Sequence, residues 1–243
     1  MQTTLSSQSK ASALILGVSI ALGLALLGNF LSSAAIEFKQ YERSVTVKGL
    51  SEREYTADIV LWPIQFSAAG NNLEALYNAI EGNTNKITSF LVSKGIDANE
   101  ITFASPTIHD KLANQYGGNA RPEFRYTASQ TVTVYSKNIA GVRSVMGSLA
   151  ELGKQGIVFG GDNYGSPTQY LFTRLNEVKP EMIEEATRKA REVAEKFASD
   201  SQSTLGKIKQ ASQGQFSISA RDNNNPHIKK VRVVSTVKYY LSD

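Results

Sequence analysis

The stretch Ala11–Leu31, ASALILGVSIALGLALLGNFL, constrains the chain more than any other. It carries no charge, and no second run of that kind follows it. At about 1.5 Å per residue it reaches about 31 Å as a helix, the thickness of a bilayer's hydrocarbon core. Two readings compete: a retained transmembrane helix, or a cleaved signal peptide with Ser33-Ala34-Ala35 as the small-residue cleavage site. The run exceeds the usual signal core of about 7–15 residues, which favours retention. Its all-round hydrophobicity disfavours a buried soluble helix. Lys39, Arg43 and Lys48 follow the run against Lys10 before it, and this count taken alone puts the body in the cytoplasm. Long folded domains cross largely regardless of such charges, so the count weighs little.

Everything after the anchor reads as globular. Hydrophobic residues make up 41% of the 243-residue chain and charged residues 20%, ordinary values that argue against wholesale disorder. The net charge of +4 is too mild, and the basic residues too scattered, for a nucleic-acid partner. Cysteine is absent, which removes disulfides, thiol catalysis and thiolate metal sites together. His109 and His227 are the only histidines, too few for a histidine-rich metal centre.

The strongest helix signal is Lys179–Gly206. Met182, Ile183, Ala186, Ala190, Val193, Ala194 and Phe197 recur at steps of three and four, with Pro180 placed to start the helix and Gly206 to stop it. Glu184–Arg188, Glu185–Lys189 and Glu192–Lys196 are spaced to pair along its outer face. An earlier helix places Leu73, Leu76, Tyr77, Ile80, Ile87, Phe90 and Leu91 in phase, with Asn71 and Glu74 as a capping box and Gly95 as its stop. A third spans Asn138–Leu152.

Strands are expected at Ser44–Gly49, Thr56–Ala68, Ile101–Leu112, Phe124–Tyr135, Ile157–Asp162, Gln169–Thr173, Lys207–Ala220 and Ile228–Leu241. Val60, Trp62, Ile64 and Phe66 alternate onto one face, and Pro63 marks an edge or a bulge. Helix, strand, polar loop and strand occur twice, after Leu73 and after Lys179. The reading is therefore an α+β fold: an N-terminal transmembrane helix, then two helix-plus-β-hairpin repeats packed on antiparallel sheet. Chance similarity between amphipathic elements is the alternative.

Three stretches carry a resemblance: VTVKGLSEREYTADIVLWPI from Val45, LNEVKPEMIEEATRKAREVAEKFASDS from Leu175 and IKKVRVVSTVKYYL from Ile228. In this order and spacing they resemble the SIMPL-domain (DUF541) family over roughly residues 41–241, and specifically its branch with an uncleaved N-terminal helix. The resemblance implies an envelope protein: residues 1–10 a cytoplasmic tail, 11–31 the span, 32–43 a tether and 44–243 the SIMPL domain. The body would lie on the periplasmic side of the inner membrane, which takes precedence over the charge count. Some relatives are secreted into the periplasm, and one is an immunogenic protein that forms a ring-like, channel-shaped homo-oligomer. The family has no agreed catalytic residues to carry over.

Nothing in the residues themselves looks like a catalytic centre, and no cofactor or metal is expected. His109 with Asp110 could form half of a metal site or a general base, but reads better as solvated surface. His227 after Pro226 reads as a turn residue. Arg221 and Asp222 with Lys229 and Lys230 could hold an anion, or form a solvated hairpin end. No Gly-x-Ser-x-Gly is present, and Gly160-Gly161 and Gly117-Gly118 lack a phosphate loop's spacing. Tyr116, Arg121, Phe124 and Tyr126, around the long hairpin tip Ala113–Pro122, are the candidate oligomer or partner contacts. Packing of these aromatics back on their own chain is the alternative. The expectation is a membrane-anchored homo-oligomer, a ring or cage with a structural rather than enzymatic role. The alternatives are an accessory binding protein for an envelope partner, or a hydrolase or metal enzyme, the last with the least support.

Overall fold

The structure is a computed structural model describing residues 5–41, 43–113, 122–160 and 167–242. It divides into two compact units: Met1–Ser51, Glu181–Gln215 and Val233–Asp243 form the first, Glu52–Pro180 and Phe216–Arg232 the second. Helix and strand are mixed, in two antiparallel sheets, as an α+β reading requires. Strands β1 (Ser44–Thr56) and β10 (Ile228–Ser242) and helix α5 (Leu175–Asp200) contribute residues to both units.

In the first unit α1 (Leu5–Tyr41) is one continuous helix. Ser12–Ala34 within it is long and apolar enough to cross a membrane, with a mean hydropathy of 2.3 and none of that stretch buried. The helix runs on to Tyr41, through most of the 32–43 segment expected as a tether. The sheet order is β1-β10-β8, with β8 (Thr204–Gln213) antiparallel to β10 in a register that places Val237 opposite Ala211 and Leu241 opposite Leu205. Val47, Val237 and Tyr239 meet Ala190 and Ala194 of α5 in a small core, joined by Val45 and Leu205. Ala186, Ala190, Ala194 and Ala198, four residues apart, are all buried. These small side chains let α5 come unusually close to the sheet. At Gly49 of β1, an added Cβ would sit well inside contact distance of the Ala186 carbonyl and the Ala190 amide.

That close stripe changes several expectations. Val193 and Phe197 precede Ala194 and Ala198 by one residue, about 100° around the helix, and stand 41% and 56% exposed instead of buried. Helix α5 begins at Leu175, so Pro180 lies inside it rather than at its start. It ends at Asp200, with Gln202 at a φ of 55°. Gly206 lies within β8, its Cα facing the Tyr240 backbone, and does not stop the helix. Of the expected ion pairs Glu185–Lys189 forms at 2.6 Å, while Lys196 turns to Asp200 instead of Glu192, and Arg191–Glu195 is an additional pair. Glu185 also accepts a hydrogen bond from Ser51 Oγ at 2.8 Å.

The second unit is built on β2 (Ile59–Gly70) and β5 (Tyr126–Ser136), paired without a break from Val60–Ser136 to Gly70–Tyr126. Strands β3 (Ile101–Phe103) and β4 (Thr107–Asp110) line the far side of β5, and β6 (Val158–Phe159) and β7 (Gln169–Leu171) the far side of β2. Pro63, which has no N–H to donate, falls in the gap between these last two partners. Val60, Trp62, Ile64 and Phe66 are buried against Val132, Val134 and the inner face of α2 (Leu73–Ser93), where Leu76, Ile80, Ile87 and Leu91 are buried. The expected third helix is split into α3 (Ile139–Gly147) and α4 (Ala150–Gly153), and the expected strand 101–112 breaks at Ala104–Pro106, where Ala104 N donates to Thr131 O at 3.0 Å. Asn72 rather than Asn71 caps α2, through Ala75 N at 2.9 Å.

The order of a helix followed by strands paired antiparallel occurs twice in the structure, with each first strand interrupted. In the second unit α2 leads into an interrupted strand, β3 and β4, both paired with the long β5. In the later copy α5 leads into β8 and β9 (Ser217–Ala220), both paired with the long β10.

Candidate functional site

The base of the long hairpin is clamped by a short polar set. Asp110 ends β4 and Arg125 immediately precedes β5, so antiparallel pairing brings them face to face. Arg125 Nε lies 3.2 and 3.1 Å from the two Asp110 carboxylate oxygens, and Nη2 lies 2.8 Å from Oδ2, a bidentate geometry. Asp110 Oδ1 also accepts from Leu112 N at 3.0 Å. The guanidinium, aided by that amide and against the opposing effect of burial, holds the Asp110 carboxyl below the usual carboxylate range. Asn71 turns to the same place: its Oδ1 accepts from Arg125 N at 2.9 Å and its Nδ2 donates to Glu123 O at 3.3 Å. Asp110 is therefore engaged by arginine and not by His109, which is exposed and paired across the strand with Thr127.

Around this clamp the apolar surface is open. Phe124 is 39% and Leu112 43% exposed. Tyr126 is half-buried, with the Arg125 guanidinium carbon 4.8 Å from its ring centroid, and it packs on the core. Of the four expected contact residues, Phe124 and Tyr126 flank Arg125 here, whereas Tyr116 and Arg121 lie outside the described residues.

A second polar cluster joins residues far apart in sequence: Arg143 of α3, Tyr170 of β7 and His227 before β10. Arg143 Nη1 lies 2.9 Å from His227 Nε2. A guanidinium can only donate, so Nε2 accepts and the ring proton sits on Nδ1. Nδ1 is buried with no hydrogen-bond partner among the described residues. Burial pushes His227 below the ordinary histidine value, helped by the charges of Arg143 and Arg221 and opposed by Asp222. Burial raises Tyr170, whose ring meets the imidazole edge-on at 6.0 Å and whose hydroxyl lies 3.9 Å from Met146 Sδ. No carboxylate orients this imidazole, and it contacts no hydroxyl nucleophile among the described residues. The set therefore ties α3, β7 and the start of β10 together without the parts of a nucleophilic triad. Neighbouring sequence could not reveal it, because its two hydrogen-bonded members, Arg143 and His227, stand 84 residues apart.

The hairpin end Arg221–Pro226 closes on itself. Asp222 Oδ1 accepts from Asn224 N at 2.9 Å and Asn225 N at 2.8 Å, and Oδ2 accepts from Arg221 Nε at 2.8 Å. The arginine, together with these donors, lowers Asp222 to about 2. Arg221 also reaches Glu54 at 3.6 Å, and Lys230 reaches Glu52 at 3.4 Å. Arg221 and Lys230 are matched by carboxylates, which favours the solvated hairpin end over an anion site. Lys229 is partly buried, which lowers its pKa. No group of three or more His, Cys, Asp or Glu side chains among the described residues is placed to hold a metal.

No curated protein matches the chain. Residues 45–238, covering both halves of the repeat, match the SIMPL family, described as proteins of unknown function (DUF541), and the chain belongs to that family.

Proposed function

We propose that this is a membrane-tethered assembly protein of the cell envelope, structural rather than catalytic, which self-associates into a ring or cage. In this reading α1 is retained as a single transmembrane helix in the inner membrane, with residues 44–243 on the periplasmic side. One observation supports it above the others. Among the described residues strand β8 pairs with β10 along one side only, and apart from half-buried Leu205 its residues are exposed from Thr204 to Gln213. A strand edge of that length offers a row of backbone donors and acceptors to another strand. Lys207 and Lys209 on it discourage indiscriminate pairing, so the edge is suited to a specific partner. Tethering confines copies to a layer and raises their effective concentration, so weak edge contacts suffice.

The cysteine-free chain makes the test direct. Ser212→Cys introduces the sole thiol, on β8. Mild oxidation of membranes carrying it should yield disulfide-linked homo-oligomers, while Lys86→Cys on α2 should not. Single-copy particles in detergent with no adducts from Ser212→Cys would count decisively against assembly. A heterologous adduct in cells would instead favour the accessory binding role, in which the clamped hairpin presents Phe124 and its neighbours to an envelope partner.

A further inference from the structure

The strands of the first unit carry lysines and no carboxylate. Lys48 lies on β1, Lys207 and Lys209 on β8 and Lys238 on β10, and no Asp or Glu occurs in residues 44–51, 204–215 or 233–242. Strand alternation shows which way they face. Val47 and Gly49 of β1 and Val237 and Tyr239 of β10 are buried, and Gly49 lies against the backbone of α5. Successive side chains point to opposite faces, so Lys48, Leu50, Lys238 and Tyr240 look away from α5. Lys209 joins them, its Nζ 5.1 Å from the Tyr240 ring centroid. Lys48 and Lys209 are exposed and Lys238 half-buried, with Leu50 39% and Tyr240 37% exposed among them. No carboxylate among the described residues pairs with these lysines. The face is therefore basic, uncompensated and seeded with an aromatic and an aliphatic side chain.

Its place along the chain says what it meets. The apolar span ends at Ala34, α1 continues to Tyr41 and β1 starts at Ser44. Leu241 N donates to Arg43 O at 3.0 Å, so the Tyr240 end of the face sits where the chain leaves α1. The seven helical steps from Ala34 to Tyr41 cover about 11 Å, and the headgroup layer occupies about 5–7 Å of that. The nearest part of the face thus starts within about one Debye length of the lipid phosphates at physiological salt.

We propose that this lysine-and-tyrosine face docks on the anionic phospholipid headgroups of the membrane that α1 spans. The inference rests on α1 being retained, as in the function proposed above. Each lysine near an anionic surface favours binding about fivefold. Tyr240 is suited to the interface, with an apolar ring and a hydroxyl that stays wet. A face lying on the bilayer leaves the β8 edge free for lateral pairing, so the two roles do not compete.

The test uses the full-length protein at one copy per lipid nanodisc, which excludes self-pairing. Discs of phosphatidylcholine alone are compared with discs containing about 30% phosphatidylglycerol, a surface that attracts lysine and is screened by salt. An amine-reactive reagent labels the lysines, read by mass spectrometry. Lys209 and Lys238 should label at least fivefold more slowly in the anionic discs at low salt, recover in high salt, and leave Lys86 and Lys154 unaffected as controls. In the same discs hydrogen exchange across β8 should slow, and the triple variant Lys48→Gln, Lys209→Gln, Lys238→Gln should abolish that slowing while keeping its circular dichroism. Equal labelling in both lipids overturns the proposal. So does salt-insensitive protection in phosphatidylcholine alone, or the same protection from free glycerophosphate, which would indicate a soluble-anion site. Binding of an acidic protein or nucleic acid without any lipid response overturns it as well. Failure of the retained anchor looks different: a mature chain lacking the span would not enter discs at all, and both readings would fall together.

Discussion

Gly49 shows how much one missing side chain decides. Burial of the small alanine stripe brings the α5 backbone against β1, and a Cβ at Gly49 would collide with main-chain atoms that no rotamer change can move. Gly49→Ala should cost about 3 kcal/mol or more, at or beyond the upper end of ordinary overpacking. The check is the urea midpoint of the variant, with Gly82→Ala, open to solvent on α2, as a control that should not destabilise. His227 makes a separate prediction about pH. Burial and two arginines keep its folded pKa below that of the unfolded chain, near 6.5. Between the two values the unfolded state binds more protons, so stability is fully present above about pH 6.5 and is lost as pH falls through the folded value. Chemical denaturation at pH 7.5 and 5.5 should show this loss, and His227→Gln should reduce it. The carboxylates of Asp110 and Asp222 act in the same direction but only at lower pH, below the ordinary aspartate value of 3.8. A variant with an unchanged drop between pH 7.5 and 5.5 would refute the assignment to His227.

Among the elements, the two long helices of the repeat end in different ways. Helix α2 is followed by Gly95 at a φ of 91°, a left-handed position that glycine occupies without a Cβ penalty. Helix α5 places Gln202 in the same region, at 55°. Opposite substitutions should therefore have opposite signs: Gly95→Ala should destabilise by about 1 kcal/mol, and Gln202→Gly should stabilise by up to about 1 kcal/mol. Thermal melts of the two variants decide this, and a destabilising Gln202→Gly would mean that the side chain has a packing role beyond the turn. The exposed pair Val193 and Phe197 belongs to the same scale. It borders a shallow depression of about 310 Å³ with Glu192, Lys196 and Asp200, on the helix face left free when the alanines turn to the sheet.

For the whole molecule, both cores start after the apolar span among the described residues. The first-unit cluster begins at Val45 and the second at Ala57, and among the described side chains none of Ser12–Ala34 belongs to either. Deleting residues 1–41 should leave a folded protein whose melting temperature changes by no more than a few degrees. By the tethering argument it should also associate less at matched concentration, since the lost confinement had raised effective concentration. Calorimetry and sedimentation velocity measure the two halves of this prediction. Intact-mass determination of the mature native protein tests its premise, and a chain starting near Ile36 would remove the tether.

The apolar span, the α+β class, the Val60–Phe66 alternation, the Gly95 stop and the doubled helix-plus-hairpin were legible in the residues because each is a local periodicity or a local turn requirement. The hairpin strands β4 and β5 were legible as alternating segments, and Phe124 and Tyr126, two of the four candidate contacts, lie at the base of the hairpin. Its clamp was not, because Asp110 finds Arg125 only once β4 and β5 are paired. The choice of the buried face of α5 was likewise settled in three dimensions. Hydrophobicity favours Val193 and Phe197, but the sheet offers Gly49, which admits a backbone at short range and so selects the alanine stripe. Arg143 and His227 lie 84 residues apart, and the uncompensated lysines come from three separate strands. Sequence periodicity reports how a segment is buried, whereas only chain packing decides which distant groups share a face, a hydrogen bond or an unneutralised charge.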